Sequence, residues 1–145
     1  MNTRTIFYLL FMLLSSSVQA KTVTENQLPN CPDSPNCVSS QAKDAGHYIA
    51  PFKIIGSIDE AWGGLKTALL NQSRTVITHD TVNTLHATET SLVFRFVDDV
   101  DAILDAEARL INIRSASRTG YGDFGVNRKR IEMLRLQLQQ GHFIE

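Results

Sequence analysis

The chain has 145 residues, 43% of them hydrophobic and 20% charged, with 14 Lys plus Arg against 15 Asp plus Glu for a formal net charge of −1. That near balance, with no basic run, excludes the broad positive field on which sequence-independent nucleic-acid binding relies. No repeat or low-complexity tract interrupts it, so one domain with one core is expected.

The first twenty residues read as an export signal. Arg4 supplies a basic start, Ile6 to Leu14 are nine consecutive apolar residues, and Val18 and Ala20 stand where a signal peptidase reads. As a helix this run spans about 14 Å, under half of a ~30 Å bilayer core, so no stable membrane span is expected after cleavage. The first cysteine beyond Ala20 is Cys31, which gives no support to a lipoprotein signal. The expected mature protein is Lys21 to Glu145, periplasmic in a cell with two membranes and otherwise secreted.

Residues 21–46 are polar, turn-rich and expected to be irregular. Within them "CPDSPNC" brackets two prolines between Cys31 and Cys37. An exported location favours a disulfide, and the chain-entropy account gives a loop this short about 2 kcal/mol. Redox pairs usually have two intervening residues, and no further soft ligand is adjacent for a metal.

Residues 47–145 are expected to form a single α+β domain. Tyr48 to Ile55 reads as a strand, at a sheet edge because of Pro51. Ser57 with Glu60 forms a capping box, and Ile58, Ala61, Trp62, Leu65, Ala68 and Leu69 recur at helical spacing, predicting a helix over 58–71. Gly63 and Gly64 weaken it, and something packing closely there would explain them. Strands are expected at Arg74–Asp80, Asn83–Thr88, Leu92–Val97 and Ala106–Arg114. A last helix should start near Asp123, a good N-cap, and stop at Gly141. The order β-α-β-β-β-β-α predicts an antiparallel sheet of four to five strands with two helices packed on it.

Period-two alternation then assigns faces. Leu92, Phe94 and Phe96 should point opposite to Arg95, and Ile111 and Ile113 opposite to Asn112 and Arg114. If the aromatic and isoleucine sides form the core, Arg95, Asn112 and Arg114 share an open face. Asp98, Asp99 and Asp101 in "FVDDVD" lack the glycine turn and distal glutamate of a calcium loop, so ion pairing with Arg95, Arg114 or Arg118 is preferred to metal.

The stretch "RSASRTGYGDFGVNRKRIE" carries five basic side chains and three glycines in nineteen residues. Glycines, serines and arginines beside a helix start suit an anion, because unpaired N–H groups and the helix dipole point there. The competing reading pairs Arg128 and Arg130 with Asp98, Asp99 and Asp123. Asn127 falls on the helix face of Phe124, Ile131, Leu134 and Leu138, which points to a loop-fastening role.

"PNCVSS", "FRFVDDVD" and "RSASRTGYGDFGVNRKRIEMLR" resemble the signature blocks of the domain-of-unknown-function family 1499, over nearly all of the mature chain. The family pattern usually continues its aspartate block with glutamate where this chain has Asp101. The resemblance implies a fold and an exported or lumenal setting, and no activity. Its motif residues would be Cys37, Asp98, Asp99, Arg114, Ser115, Ser117, Arg118, Gly120, Asp123, Gly125, Asn127, Arg128 and Arg130.

Catalysis has thinner support. Ser115 and Ser117 are candidate nucleophiles, but His47, His79, His86 and His142 all lie outside these blocks. His79 and His86 should oppose each other across a hairpin centred on Val82-Asn83, a two-histidine metal site without an obvious third ligand. A second apolar stripe on the last helix, Val126, Met133 and Leu136, points to contact with an N-terminal segment or with another protein. The leading expectation is a non-catalytic exported binding or accessory domain. It would use Arg95, Asp98, Asp99, Arg114, Ser115, Ser117, Arg118, Asp123, Asn127 and Arg128 for an anionic ligand or a partner protein. The alternatives are a hydrolase on an envelope substrate, with an acid from Asp98, Asp99 or Asp123, and a fold lock with the function on another surface. No cofactor and no metal are expected.

Overall fold

The computed structural model describes residues 26–145, so the expected export segment lies outside the described residues. Along the chain run β1 (Cys37–Ser39), β2 (Phe52–Lys53), α1 (Ile58–Leu70), β3 (Thr75–Asp80), β4 (Thr84–Thr90), β5 (Val97–Asp105), β6 (Leu110–Ser117) and α2 (Val126–Gln140). Six strands make one antiparallel sheet in the order β1-β6-β5-β4-β3, with β2 pairing the other half of β6. The expected α+β class and element order hold. β1 is an addition, a short strand inside the segment whose composition reads as irregular, and it carries Cys37 of the Cys31–Cys37 disulfide.

Ser57 caps α1 through its side chain, accepting from the Glu60 N–H, and the apolar spacing then buries Ala61, Trp62, Leu65, Ala68 and Leu69. α2 buries Ile131, Leu134 and Leu138 beside it. Both helices cover one face of the sheet, where Leu85, Ala87, Val100, Ala102, Leu104, Ile111 and Ile113 face inward. Each buried aliphatic side chain contributes about 1.5–3 kcal/mol to that core.

Two strand assignments change. Leu92–Val97 is a turn rather than a strand, and β5 begins only at Val97 and runs through all three aspartates. Leu92, Phe94 and Phe96 are exposed instead of core, and Arg95 sits at φ 56 in the turn, off the sheet face. The reason is the register of β5: Asp98, Val100, Ala102 and Leu104 form its inward row, so the strand needs no aromatic side chain. β6 starts four residues later than Ala106 and includes Ser115 and Ser117, while Arg109 turns the chain at φ 56.

The two helix glycines differ in kind. A Cβ on Gly64 would lie 2.7 Å from the Phe143 ring, whereas one on Gly63 would meet nothing within 4 Å. Phe143 also presses on Gly141, so the C-terminal turn folds back over both helices, and the Ile144 bridge to Ile54 fixes it. At the far edge of the sheet, β3 carries a bulge between Ile77 and His79. Gly63→Ala is expected to raise stability by up to about 1 kcal/mol, and Gly64→Ala to lower it by about 1–3 kcal/mol. Urea unfolding of both variants against the parent checks the opposite signs.

Candidate functional site

Arg130 lies on the inward face of α2 and is only 5% exposed. Its Nε donates to Glu89 Oε2 at 2.6 Å, Nη2 to Asp98 Oδ2 at 2.7 Å, and Nη1 to Ser115 Oγ at 2.8 Å and Asn127 Oδ1 at 2.7 Å. Burial favours the neutral form, but the hydrogen bonds and charges of Glu89 and then Asp98 outweigh it, so its pKa lies above the ordinary arginine value. The cation therefore stays charged inside the protein, joined to β4, β5 and β6 at once.

Asn127 is fully buried and extends this network. Its Oδ1 also accepts from Ser115 Oγ at 2.6 Å, and its Nδ2 donates to the Asn36 carbonyl at 3.1 Å, Ser117 Oγ at 2.9 Å and Asp123 Oδ2 at 2.8 Å. Asn36 in turn donates to the Gly120 carbonyl at 2.7 Å, fastening the disulfide segment to the glycine turn. Gly120 and Gly125 hold φ of 86° and 77°, which a side chain would strain.

The start of α2 is already satisfied from within. Gly125 is the N-cap, two residues beyond Asp123, yet Asp123 does the capping. Its Oδ1 accepts from Gly125 N, its Oδ2 from Asn127 N, and its carbonyl from Val126 N. Partial burial pushes the Asp123 carboxyl up, and the bonds from Asn127 and Gly125 outweigh it, so its pKa falls below the usual carboxylate value. The helix N-terminus thus holds its own anion. Phe124 is 99% exposed rather than inward, because the helix begins after it and the turn carries it outward at φ 54.

The opposite sheet face carries a second row. Arg118 grips both Asp99 oxygens, with Nε at 3.0 Å from each and Nη2 at 2.8 Å from Oδ1, which raises its pKa. Arg114 Nη1 meets Asp101 Oδ2 at 3.0 Å. His86 places Nδ1 2.7 Å from Asp101 Oδ1 and Nε2 3.3 Å from Asp99 Oδ1. His79 does stand opposite His86 in the register, but both His86 nitrogens are turned to these aspartates.

The acidic and basic segments therefore converge where β6 hands over to α2, divided between two sheet faces. Asp98, Ser115, Ser117, Asp123 and Asn127 gather on the helix side, and Asp99, Arg114 and Arg118 on the other. Arg95 joins neither. Arg128 stands apart, donating to the carbonyls of Tyr48 and Gly46 at 2.9 Å each. Among the described residues, the Ser115 and Ser117 hydroxyls meet only Asn127 and Arg130, neither of them a base. His47 bonds Asp44 and the Ser34 carbonyl, which raise its pKa with the carbonyl foremost, and His142 sits in the turn after α2.

A model of the family described as protein of unknown function, DUF1499, matches residues 27–138. The chain belongs to that family. No curated protein matches it. The matched range contains every residue of the Arg130–Asn127 network, from Asn36 to Arg130. Two members of that network are not among the residues the sequence points to, and the first is missed because the strand Asn83–Thr88 is drawn too short. Glu89 lies one residue beyond it, on the inward row of Leu85 and Ala87, and extending the strand would have found it. Asn36 lies inside the "PNCVSS" block, whose chemistry is visible only once β1 pairs β6.

Beside the network a groove of about 410 Å³ runs between the α1–β3 turn and α2, with Gln72, Arg74, Glu89, Lys129, Arg130 and Met133 on its walls. Lys129 has no carboxylate within ion-pair reach among the described residues, and Gln72 Nε2 is buried without a hydrogen-bond partner among them. Arg130→Met should cost about 3–5 kcal/mol by stranding two carboxylates, and adding Asp98→Asn and Glu89→Gln should restore part of that loss. Chemical denaturation of the single and triple variants tests this. Because the folded-state pKa of Asp123 is depressed, its stabilisation is present above about pH 4 and disappears as pH falls through the folded value. Acid unfolding of Asp123→Asn should show a shallower pH dependence than the parent.

Proposed function

We propose that this protein is a non-catalytic binding or accessory domain exported to the cell envelope, and that its ligand contact lies in the groove beside the motif network rather than in the network. The carrying observation is how the charges are committed. Each motif carboxylate is matched within the motif: Asp98 to Arg130, Asp99 to Arg118, Asp101 to Arg114 and Asp123 to the α2 start. The groove keeps an uncommitted cation, Lys129, an unpartnered amide donor on Gln72, and an apolar wall at Val126 and Met133. A buried donor without an acceptor is uncommon enough to call for a role. The chemistry fits a small anion with an apolar body: the carboxylate or phosphate meets Lys129 and Gln72, and the body lies along Met133.

The export reading is supported by the short disulfide loop, which fits an oxidising compartment, together with the basic-then-apolar start of the sequence. The hydrolase alternative lacks support at Ser115 and Ser117, whose hydroxyls face an amide and a guanidinium.

Octanoate and octyl phosphate serve as probes. Saturable thermal stabilisation by either one is expected, with about tenfold weaker binding in Lys129→Glu and in Met133→Asp. Absence of stabilisation by both probes, or an unchanged affinity in both variants, overturns the groove assignment.

A further inference from the structure

Four connections meet at one end of the sheet. Asp98 pairs with Ser117, so the turn before β5 and the turn after β6 are neighbours, and the Thr75–Glu89 pair brings the α1–β3 turn alongside. The entry to β1 joins them through Cys37 and Ala116. The side chains that these turns raise are apolar. Phe94 is 74% exposed, Tyr121 76% and Phe124 99%, with Leu92 and Val93 in the same range. Monomeric proteins seldom leave such a group uncovered unless it meets something.

We propose that this end of the molecule is a docking crown that sets its apolar tips into the headgroup layer of an anionic lipid bilayer. Three observations select a membrane surface over a protein partner. First, these side chains stand on turns and each is at least 71% exposed; such tips enter a soft interface and leave a rigid one poorly packed. Second, the crown carries two arginines, Arg74 and Arg95, that no carboxylate matches within ion-pair reach among the described residues. Lys129 follows on the first turn of α2; Arg118 is matched by Asp99, and of the two carboxylates in these connections Asp123 caps α2 and Asp33 stands at the entry to β1. Among the described residues the Arg74 side chain bonds only a backbone carbonyl, that of Thr90, at 2.7 Å, so its charge remains available to lipid phosphate. Third, the turn is preformed. Ser91 N donates to the Phe96 carbonyl at 2.8 Å, Phe96 N donates to Ser91 Oγ at 2.8 Å, and the Phe94 and Phe96 rings stack at 5.5 Å. Ordering this loop at the interface therefore carries little additional entropy cost. Arg74, Arg95 and Phe124 all hold left-handed backbone although none is glycine, a strain that the hydrophobic core does not require. No helix among the described residues is long and apolar enough to cross a membrane, so the contact is peripheral.

The sequence has a single tryptophan, Trp62, buried in the core, and that makes a local probe possible in the full chain. Phe94→Trp is mixed with vesicles of equal parts phosphatidylcholine and phosphatidylglycerol, or of phosphatidylcholine alone, each with and without brominated acyl chains. On the anionic vesicles the emission of the introduced indole should shift to the blue and be quenched by bromine, while Trp62 of the parent is unaffected. The partition should fall by about tenfold or more on the neutral vesicles, and likewise when Arg74→Asn and Arg95→Asn are added. Asn is chosen because it tolerates left-handed backbone. An indole that stays water-exposed on anionic vesicles overturns the proposal, as does a partition indifferent to lipid charge. A blue shift without lipid that grows with protein concentration also overturns it, assigning the crown to contact between copies. Lys129 and Met133 are untouched in this experiment, so its outcome is separate from that of the groove test.

Discussion

A guanidinium placed under a sheet dictates much of what surrounds it. Arg130 leaves water with its charge intact, and at that depth the cost of desolvation is several kcal/mol unless nearly every N–H is met. Two carboxylates and two neutral oxygens meet it, and they come from three different strands and from α2 itself. A one-residue slip of β4 or β5 would turn Glu89 or Asp98 to the other face and leave the charge stranded. Replacing such a cluster by well-packed hydrophobic residues is often neutral or stabilising, so its contribution here is specification of register and helix orientation more than net free energy.

The same constraint accounts for the small residues around it. Ser115, buried completely, is short enough for the α2 guanidinium to approach β6 closely, and Asn127 accepts from Ser115 while donating to the Asn36 carbonyl. Gly120 and Gly125 let the connection turn sharply between strand and helix. A sequence block rich in Arg, Ser, Gly and Asp looks like a ligand cradle. Here the same composition closes a loop on its own fold, and the surfaces with unspent donors and exposed apolar groups lie around its rim.

The helices were legible because their periodicity is strong: the Ser57 cap and the Ala61–Leu65–Leu69 row define α1 without ambiguity. The late strands were harder. Aspartate is a poor strand residue in isolation, so "FVDDVD" reads as the end of a strand, while its carboxylates are held inside one by cations from β6, the turn after it and α2. The aromatics preceding it carry the usual signal of a core and are exposed, because turn geometry rather than hydrophobicity places them. Pairing of Asp99 with Arg118 and of Asp101 with Arg114 followed from proximity of opposite charges. That these two pairs lie on the face opposite Asp98 and Arg130 did not, because it depends on where β5 begins, and a one-residue error there exchanges the faces.

The bulge in β3 also bears on how these molecules coexist at high concentration. An unpaired strand edge is a template on which another chain can add, and a kink between Ile77 and His79 disrupts the straight ladder that such addition requires. The opposite border is divided between β1 and β2, two short pieces that occupy separate halves of β6. With one margin bent and the other fragmented, neither side of the sheet offers an uninterrupted rail for growth into a fibre.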